Sequence, residues 1–273
     1  MKRHLIVVTM MLLLAAFSLN GQPARREANY AGNRVRFKAL VYYTEYAEEA
    51  HVQFARQTIR FFKKLTDGEG FVLDTTTSIA GMSVQQLSEY SVIICPDGLP
   101  SSQKERPLFE RYMDNGGGCL AFHASGYNDR NTKWAWLQQF LGCGYFKCNN
   151  WPPQPALLEV DDNRHPITAN LPMEFVAPAS EWYQWNDDLR SKPNIKVLLS
   201  LSEKNYPIGI KDIVYGGDWP VVWINTDYRM VYLNMGHGDE EFMDATQNLL
   251  FINAFRWVVG SDTRDPFDNF TTK

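Results

Sequence analysis

The sequence is poor in several features that would mark its function at once. Among 273 residues there are only 4 cysteines, and 27 Lys and Arg stand against 31 Asp and Glu, for a formal charge of −4. No Lys/Arg-rich run occurs, so the footprint of phosphate neutralisation is missing and nucleic acid is excluded as a partner. After Phe17 nothing approaches the roughly 18 uninterrupted apolar residues of a spanning helix, so the mature form should not cross a membrane. A Walker loop is absent, and no G-x-G-x-x-G follows the first strand, so nucleotide binding lacks its phosphate cradle. The nucleophile elbow G-x-S-x-G is also missing; His123-Ala124-Ser125-Gly126 has one glycine and a misplaced serine. Neither a Cys-x-x-Cys pair nor a zinc-ribbon spacing exists. Cys95 and Cys119 lie in apolar strand-like runs and read as small buried hydrophobes. Cys143 and Cys148, five apart, leave a local disulfide open in an oxidising compartment.

What is present is ordinary for a globular domain: 45% hydrophobic and 14% aromatic residues, 18 Gly and 14 Pro. Lys2, Arg3 and His4 precede an apolar run from Leu5 to Phe17, the pattern of a secretory signal peptide cleaved near Gly21. Its removal takes away two cations and no carboxylate, leaving a mildly acidic product. With no cysteine near the cleavage region to carry a lipid, a periplasmic or secreted location is expected. Residues 22–36 read as a flexible leader, 37–260 as one domain, and 261–273 as a C-terminal tail.

Within the domain, short apolar runs alternate with amphipathic ones. Phe37 to Tyr43, Phe71 to Thr76, Ser91 to Cys95 and Cys119 to Phe122 are strand candidates. Glu48 to Leu65 sets Val52, Ala55, Ile59 and Phe62 on one helical face. Ser83-Val84-Gln85-Gln86 and Ser102-Gln103-Lys104-Glu105 have capping-box form, and Gly116-Gly117-Gly118 stops the helix after the second. This β-α order predicts a mostly parallel sheet with helices on both faces. Asn128 to Pro193 is irregular, with one strand expected from Leu157 to Val160. Lys196–Leu201, Val221–Asn225 and Met230–Met235 follow as strands, the last two as a hairpin, and Glu240 to Val259 as the closing helix.

Ligands of an open parallel sheet bind outside the carboxyl ends of its strands. His123 and His237 both fall directly after strand runs, and His51 stands in the first turn of the first helix. Glu181 and Tyr183 lie in the irregular region and offer a carboxylate that can orient an imidazole, exchange protons or ligate a metal. Tryptophans at 151, 182, 185, 219 and 223 concentrate in the second half, where they could form a platform for sugar rings or simply core. His165 reads as turn chemistry, and Asp239, Glu240 and Glu241 as helix-start charge.

Three segments together resemble the ThuA-like family, named for trehalose utilisation. They are Gly116 to Ala124; His165-Pro166-Ile167-Thr168-Ala169-Asn170-Leu171-Pro172 with Glu181-Trp182-Tyr183; and Pro220 to Trp223 leading to Gly236-His237. The resemblance extends over Phe37 to Gly260. It implies an α/β, flavodoxin-like fold similar to class I glutamine amidotransferases, with the nucleophile replaced by a histidine-lined pocket. It also implies a sugar-utilisation role on a small sugar or glycoside, including 3-keto forms. By matching positions His123, His237 and Glu181 are the catalytic candidates, and the metal ligands if a zinc-like divalent ion is bound. His51, Tyr183, Trp182 and Trp223 are the substrate-binding candidates. Family members usually carry Gly-Phe-Arg-His after the first strand, where this chain keeps only His51, and a glycine-rich hairpin where it has Thr226-Asp227-Tyr228-Arg229. The expected activity is a carbohydrate-processing hydrolase, lyase or isomerase. A non-catalytic carbohydrate-binding protein is the alternative, and a cysteine-dependent amidotransferase is disfavoured because Cys119 sits too early for an elbow.

Overall fold

The structure, a computed structural model, describes residues 28–30 and 33–260. The expected signal peptide and the C-terminal tail lie outside the described residues. In chain order the strands and helices are β1 (Ala28–Tyr30), β2 (Asn33–Val35), β3 (Phe37–Tyr42), α1 (Glu49–Glu69), β4 (Phe71–Thr76), α2 (Val84–Leu87), β5 (Tyr90–Cys95), α3 (Arg106–Asp114) and β6 (Gly118–Phe122). They continue with α4 (Ala135–Leu141), β7 (Phe146–Cys148), β8 (Gln154–Val160), β9 (Glu174–Ser180), β10 (Gln184–Trp185), β11 (Ile195–Leu201), β12 (Pro220–Asn225), β13 (Arg229–Leu233) and α5 (Ala245–Val259).

Nine strands form the central sheet in the order β4-β3-β5-β6-β13-β12-β11-β8-β9. The first five are mutually parallel. The remaining pairings are antiparallel, beginning with the β12–β13 hairpin over Thr226 to Tyr228. The chain leaves β3 for β4 on one side and later returns to β5 on the other, so the sheet order reverses beside β3. Here loops separate and leave a crevice at the carboxyl edge.

The central parallel strands β5 and β6 are buried almost throughout because both their faces are covered. Leu120 and Phe122 of β6 join one core with Phe54 and Phe62 of α1 and Phe251 and Phe255 of α5. Cys119 and Ala121 point the other way, into a second core with Phe109 and Tyr112 of α3 and Phe140 of α4. Each fully buried Phe contributes about 1.5–3 kcal/mol relative to exposure, so these two layers hold the sheet flat between helices. No helix among the described residues is long and apolar enough to cross a membrane.

Local signals account for most helix ends. The Ser83/Gln86 capping box forms in both directions, at 3.2 and 2.7 Å. The second box does not start its helix at Ser102. Glu105 instead turns its carboxylate onto Ser78 Oγ and the Ile79 amide, at 2.8 and 3.0 Å, and the α-helix begins at Arg106. The last helix also starts later than its charges suggest, at Ala245, with the Asp244 side chain accepting from the Gln247 amide. Residues 22–36, read as a flexible leader, include the antiparallel β1–β2 ribbon. All four cysteines are free thiols, so Cys143 and Cys148 are not bridged.

Candidate functional site

The carboxyl edge of the parallel strands gathers three imidazoles. His51 comes from the first turn of α1, His123 from the residue after β6, and His237 from the loop after β13. Their ring centroids are 5.1 Å apart for His51 and His123, 5.2 Å for His51 and His237, and 5.8 Å for His123 and His237. Glu181, after β9, completes the cluster: its Oε2 lies 3.8 Å from His123 Nε2 and 3.7 Å from His237 Nε2. His237 Nε2 also lies 3.6 Å from Oε1 of Glu48, at the start of α1.

His123 is held in an unusual backbone. Its φ is +36°, in the left-handed region that β-carbon sterics disfavour, at the sharp turn from β6 into a 3-10 turn. A strained strand-to-helix elbow of this kind exposes the nucleophile in α/β-hydrolases; here it presents an imidazole. The Tyr232 hydroxyl donates to the His123 carbonyl at 2.9 Å and fixes the turn. His123 Nδ1 lies 2.8 Å from the Asn234 carbonyl, which can only accept, so Nδ1 carries a hydrogen, and in the neutral ring Nε2 presents its lone pair to the cluster.

Asn234 joins the two halves of the site. Besides its bond to His123, its side chain accepts from the Tyr183 amide at 3.1 Å and donates to the Tyr183 carbonyl at 3.0 Å. Asn150 accepts from the Trp182 amide at 2.7 Å. Glu181 is therefore held in place by buried amides on its C-terminal side, although its own strand is far from β6 in sequence. The Gly236-His237 loop is set by Glu241, fully buried, whose Oε1 accepts from both amides at 2.9 and 3.1 Å. Gly236 has φ +151°, and a Cβ on it would stand 2.6 Å from His123 Cβ, so the two histidine loops touch only because this residue is glycine.

Burial sets the charge states. It pushes His51 down to about 3, helped by the neighbouring His123 and His237 and opposed by Glu181. Burial also lowers His237, against the attraction of Glu181. For Glu181 burial acts upward, but His123 with the charges of His237 and His51 outweighs it and holds the carboxyl below its usual range. Tyr183 is raised by burial and by Glu181, which keeps its phenol protonated. At neutral pH the site thus presents uncharged His51 and His237 rings beside an ionised Glu181.

The aromatic residues are not where a sugar platform requires them. Trp182 and Trp223 are wholly buried, donating from Nε1 to the carbonyls of Gln154 at 2.9 Å and Leu141 at 2.7 Å. They are core, as are Trp185 and Trp219. Tyr183 does reach the cluster, its ring 4.1 Å from that of His123. Trp151, half-buried, stands edge-on to His237 at 6.2 Å, and the exposed Tyr127 lies beyond Tyr183 at 6.5 Å. His165 is not part of the cluster: it packs on Trp257 and accepts from the Ile167 amide. Glu241 is not a helix-start charge, because the α-helix begins after it and burial, which raises its carboxyl, is offset by amide donors.

Sequence reasoning missed Glu48, Asn150, Asn234 and Glu241. Asn234 alone gave a signal, as a polar residue inside the apolar run Val231 to Met235. The others are fixed by contacts between distant segments.

The ThuA family model, described as trehalose utilisation, matches residues 38–258. A crystal structure of a ThuA-like protein from Bacteroides uniformis shares 61% identity and a TM-score of 0.82, covering 89% of this chain and 97% of that one. A ThuA-like protein from Parabacteroides merdae shares 16% identity at a TM-score of 0.61, over 84% of this chain and 92% of the other. An α-L-fucosidase from Paenibacillus thiaminolyticus shares the fold alone, at 17% identity and a TM-score of 0.52, over 82% of this chain and 33% of that chain. No curated protein matches the sequence. The architecture is an α/β fold on a mixed sheet, with one half parallel and the other antiparallel.

Proposed function

The chain belongs to the ThuA family, and on that premise we propose that it is an exported enzyme acting on a sugar derivative, a glycoside or keto-sugar, at the His51, His123, His237 and Glu181 cluster. The observation that carries this reading is the convergence of three imidazoles and a carboxylate, from four separate elements, at the carboxyl edge of the sheet. Such convergence has no role in packing. Export rests on the N-terminal sequence alone, which lies outside the described residues.

Imidazoles beside carboxylates suit the proton transfers that hydrolysis needs, or isomerisation or elimination at a carbon next to a carbonyl. His123 holds its Nδ1 on the Asn234 carbonyl, which fixes the ring with Nε2 facing the cluster. His237 stands between Glu48 and Glu181, both of which stabilise its protonated form, so it returns a proton to the departing or rearranged oxygen. Tyr183, kept protonated by its surroundings, donates a hydrogen bond to a sugar oxygen. Trp151, beside His237, and Tyr127, beside Tyr183, are the solvent-reached aromatic side chains near the cluster and the apolar surface a sugar would meet.

The test is mass-spectrometric turnover by the mature chain on glucosides, disaccharides and their 3-keto derivatives, with and without divalent metal. The expected result is a new product from at least one member of the panel. Sugars that raise the melting temperature without any product would move the site to a carbohydrate-binding role. A panel neither converted nor bound would remove sugars from the account.

A further inference from the structure

We propose that His51, His123 and Glu181 form a three-ligand site for one divalent ion of the zinc class, with an open position facing His237 and Glu48. One ligand atom from each of the three residues lies within 4.8 Å of the other two, and all three are buried. The proposal deepens the reading of this cluster as a reaction centre, and stands on the geometry of its lone pairs.

In the neutral ring, with its hydrogen on Nδ1, His123 Nε2 is an acceptor, as is Glu181 Oε2. They face each other at 3.8 Å in a buried site, too far for a hydrogen bond and with nothing positive between them. Nε2 atoms of His51, His123 and His237 are all buried without a partner. Burying such groups costs about 1–3 kcal/mol each unless something satisfies them. Two ligands held at about 2.1 Å in a tetrahedral shell stand about 3.4 Å apart, so the observed spacing is that of atoms sharing an ion, slightly relaxed. A bridging proton would instead draw nitrogen and oxygen to about 2.8 Å.

The second coordination shell is also in place. The Asn234 carbonyl fixes the tautomer and the orientation of His123, as the outer partner of a metal-bound imidazole does. Two imidazoles and a carboxylate, with no thiolate, select a borderline divalent cation over a soft one. A second grouping, Glu48, His51 and His237, shares His51. The inner set is preferred because the side chain of Glu48 is 56% exposed and already solvated, whereas that of Glu181 is 10% exposed. Three protein ligands with a free fourth position are the pattern of a catalytic rather than a structural zinc site. His237 and Glu48 then flank the open position as proton-transfer groups.

The experiment uses the full chain after chelator treatment, titrated with zinc by calorimetry and with cobalt by visible absorption. About one equivalent should bind, with the intense cobalt bands of a low-coordinate site and a raised melting temperature. His51→Gln and Glu181→Gln should weaken binding by more than about 100-fold, beyond the 10–100-fold of an outer-shell loss, while Glu48→Gln should stay within about tenfold. Circular dichroism and melting in chelator establish that each variant folds. Absence of saturable binding of zinc, cobalt, nickel and manganese overturns the site. So does loss of binding in Glu48→Gln and His237→Gln with retention in Glu181→Gln, which places the ion in the outer grouping. Sugar turnover that chelator leaves untouched sinks the metal and spares the sugar reading; tight zinc binding with no sugar converted or bound does the reverse.

Discussion

The two halves of the sheet contribute different things to the site. The parallel half, β4-β3-β5-β6-β13, supplies His123 directly after β6, His237 from the loop after β13, and His51 from the first turn of the helix that follows β3. The antiparallel half, β12-β11-β8-β9, supplies Glu181 and Tyr183 from the segment after its edge strand. In the first half a short chain segment already dictates where the side chain will go, because a buried strand must end where its loop begins. In the second, position comes from distant amides: Asn234 bonds to Tyr183 and Asn150 to Trp182. The imidazoles are placed by strand ends, and the carboxylate by long-range hydrogen bonds.

Breaking either half should silence the centre, and this is the largest effect expected. Glu181→Gln, isosteric and expected to fold, should lower sugar turnover by about a thousandfold, because it removes the one carboxylate that faces both His123 and His237. Next comes the seam within the parallel half. Gly236→Ala pushes a Cβ to 2.6 Å from His123 Cβ at φ +151°, and urea unfolding should register about 3 kcal/mol or more. Glu241→Ala strands the amides of Gly236 and His237 and the Gln247 side chain; a loss of about 2 kcal/mol is expected, with Glu241→Gln milder because one acceptor remains.

A pH series sharpens the same comparison. His51 is depressed in the folded chain to about 3 from 6.5, so the unfolded chain binds a proton that the folded one refuses. Its contribution to stability is therefore full above pH 6.5 and lost as pH falls towards 3, at no more than about 1.4 kcal/mol per unit. In metal-free protein, His51→Gln should flatten that acid limb; an unchanged slope would place the cost elsewhere. The smallest effect belongs to the outer antiparallel edge, where Val176 of β9 is exposed and Val176→Thr should alter stability by less than about 0.5 kcal/mol.

The same division explains what could be read from the chain directly. The apolar runs of β3, β5 and β6, the face of α1 and the Ser83 capping box are local patterns, and they appear where those patterns place them. His51, His123 and His237 follow from strand order and meet as expected. Between Asn128 and Pro193, α4, β7, β9 and β10 were not legible, because short strands there are decided by partners elsewhere in the chain. Tryptophan chemistry misled there and in β12: Trp182 and Trp223 look like sugar platforms in sequence, yet satisfy their indole nitrogens on buried carbonyls. Glu105 and Glu241 misled in a related way: Glu105 serves the distant Ile79 amide, and Glu241 turns back onto the Gly236-His237 loop.

The central claim is that one reaction centre is assembled from both halves of the sheet. Its most direct test compares His123→Gln from the parallel half with Glu181→Gln from the antiparallel half, on the keto-sugar or glycoside that the wild-type chain converts, with folding of each variant checked by circular dichroism. The account predicts that both variants fold and both lose the product. Conversion at the wild-type rate by either one would contradict it.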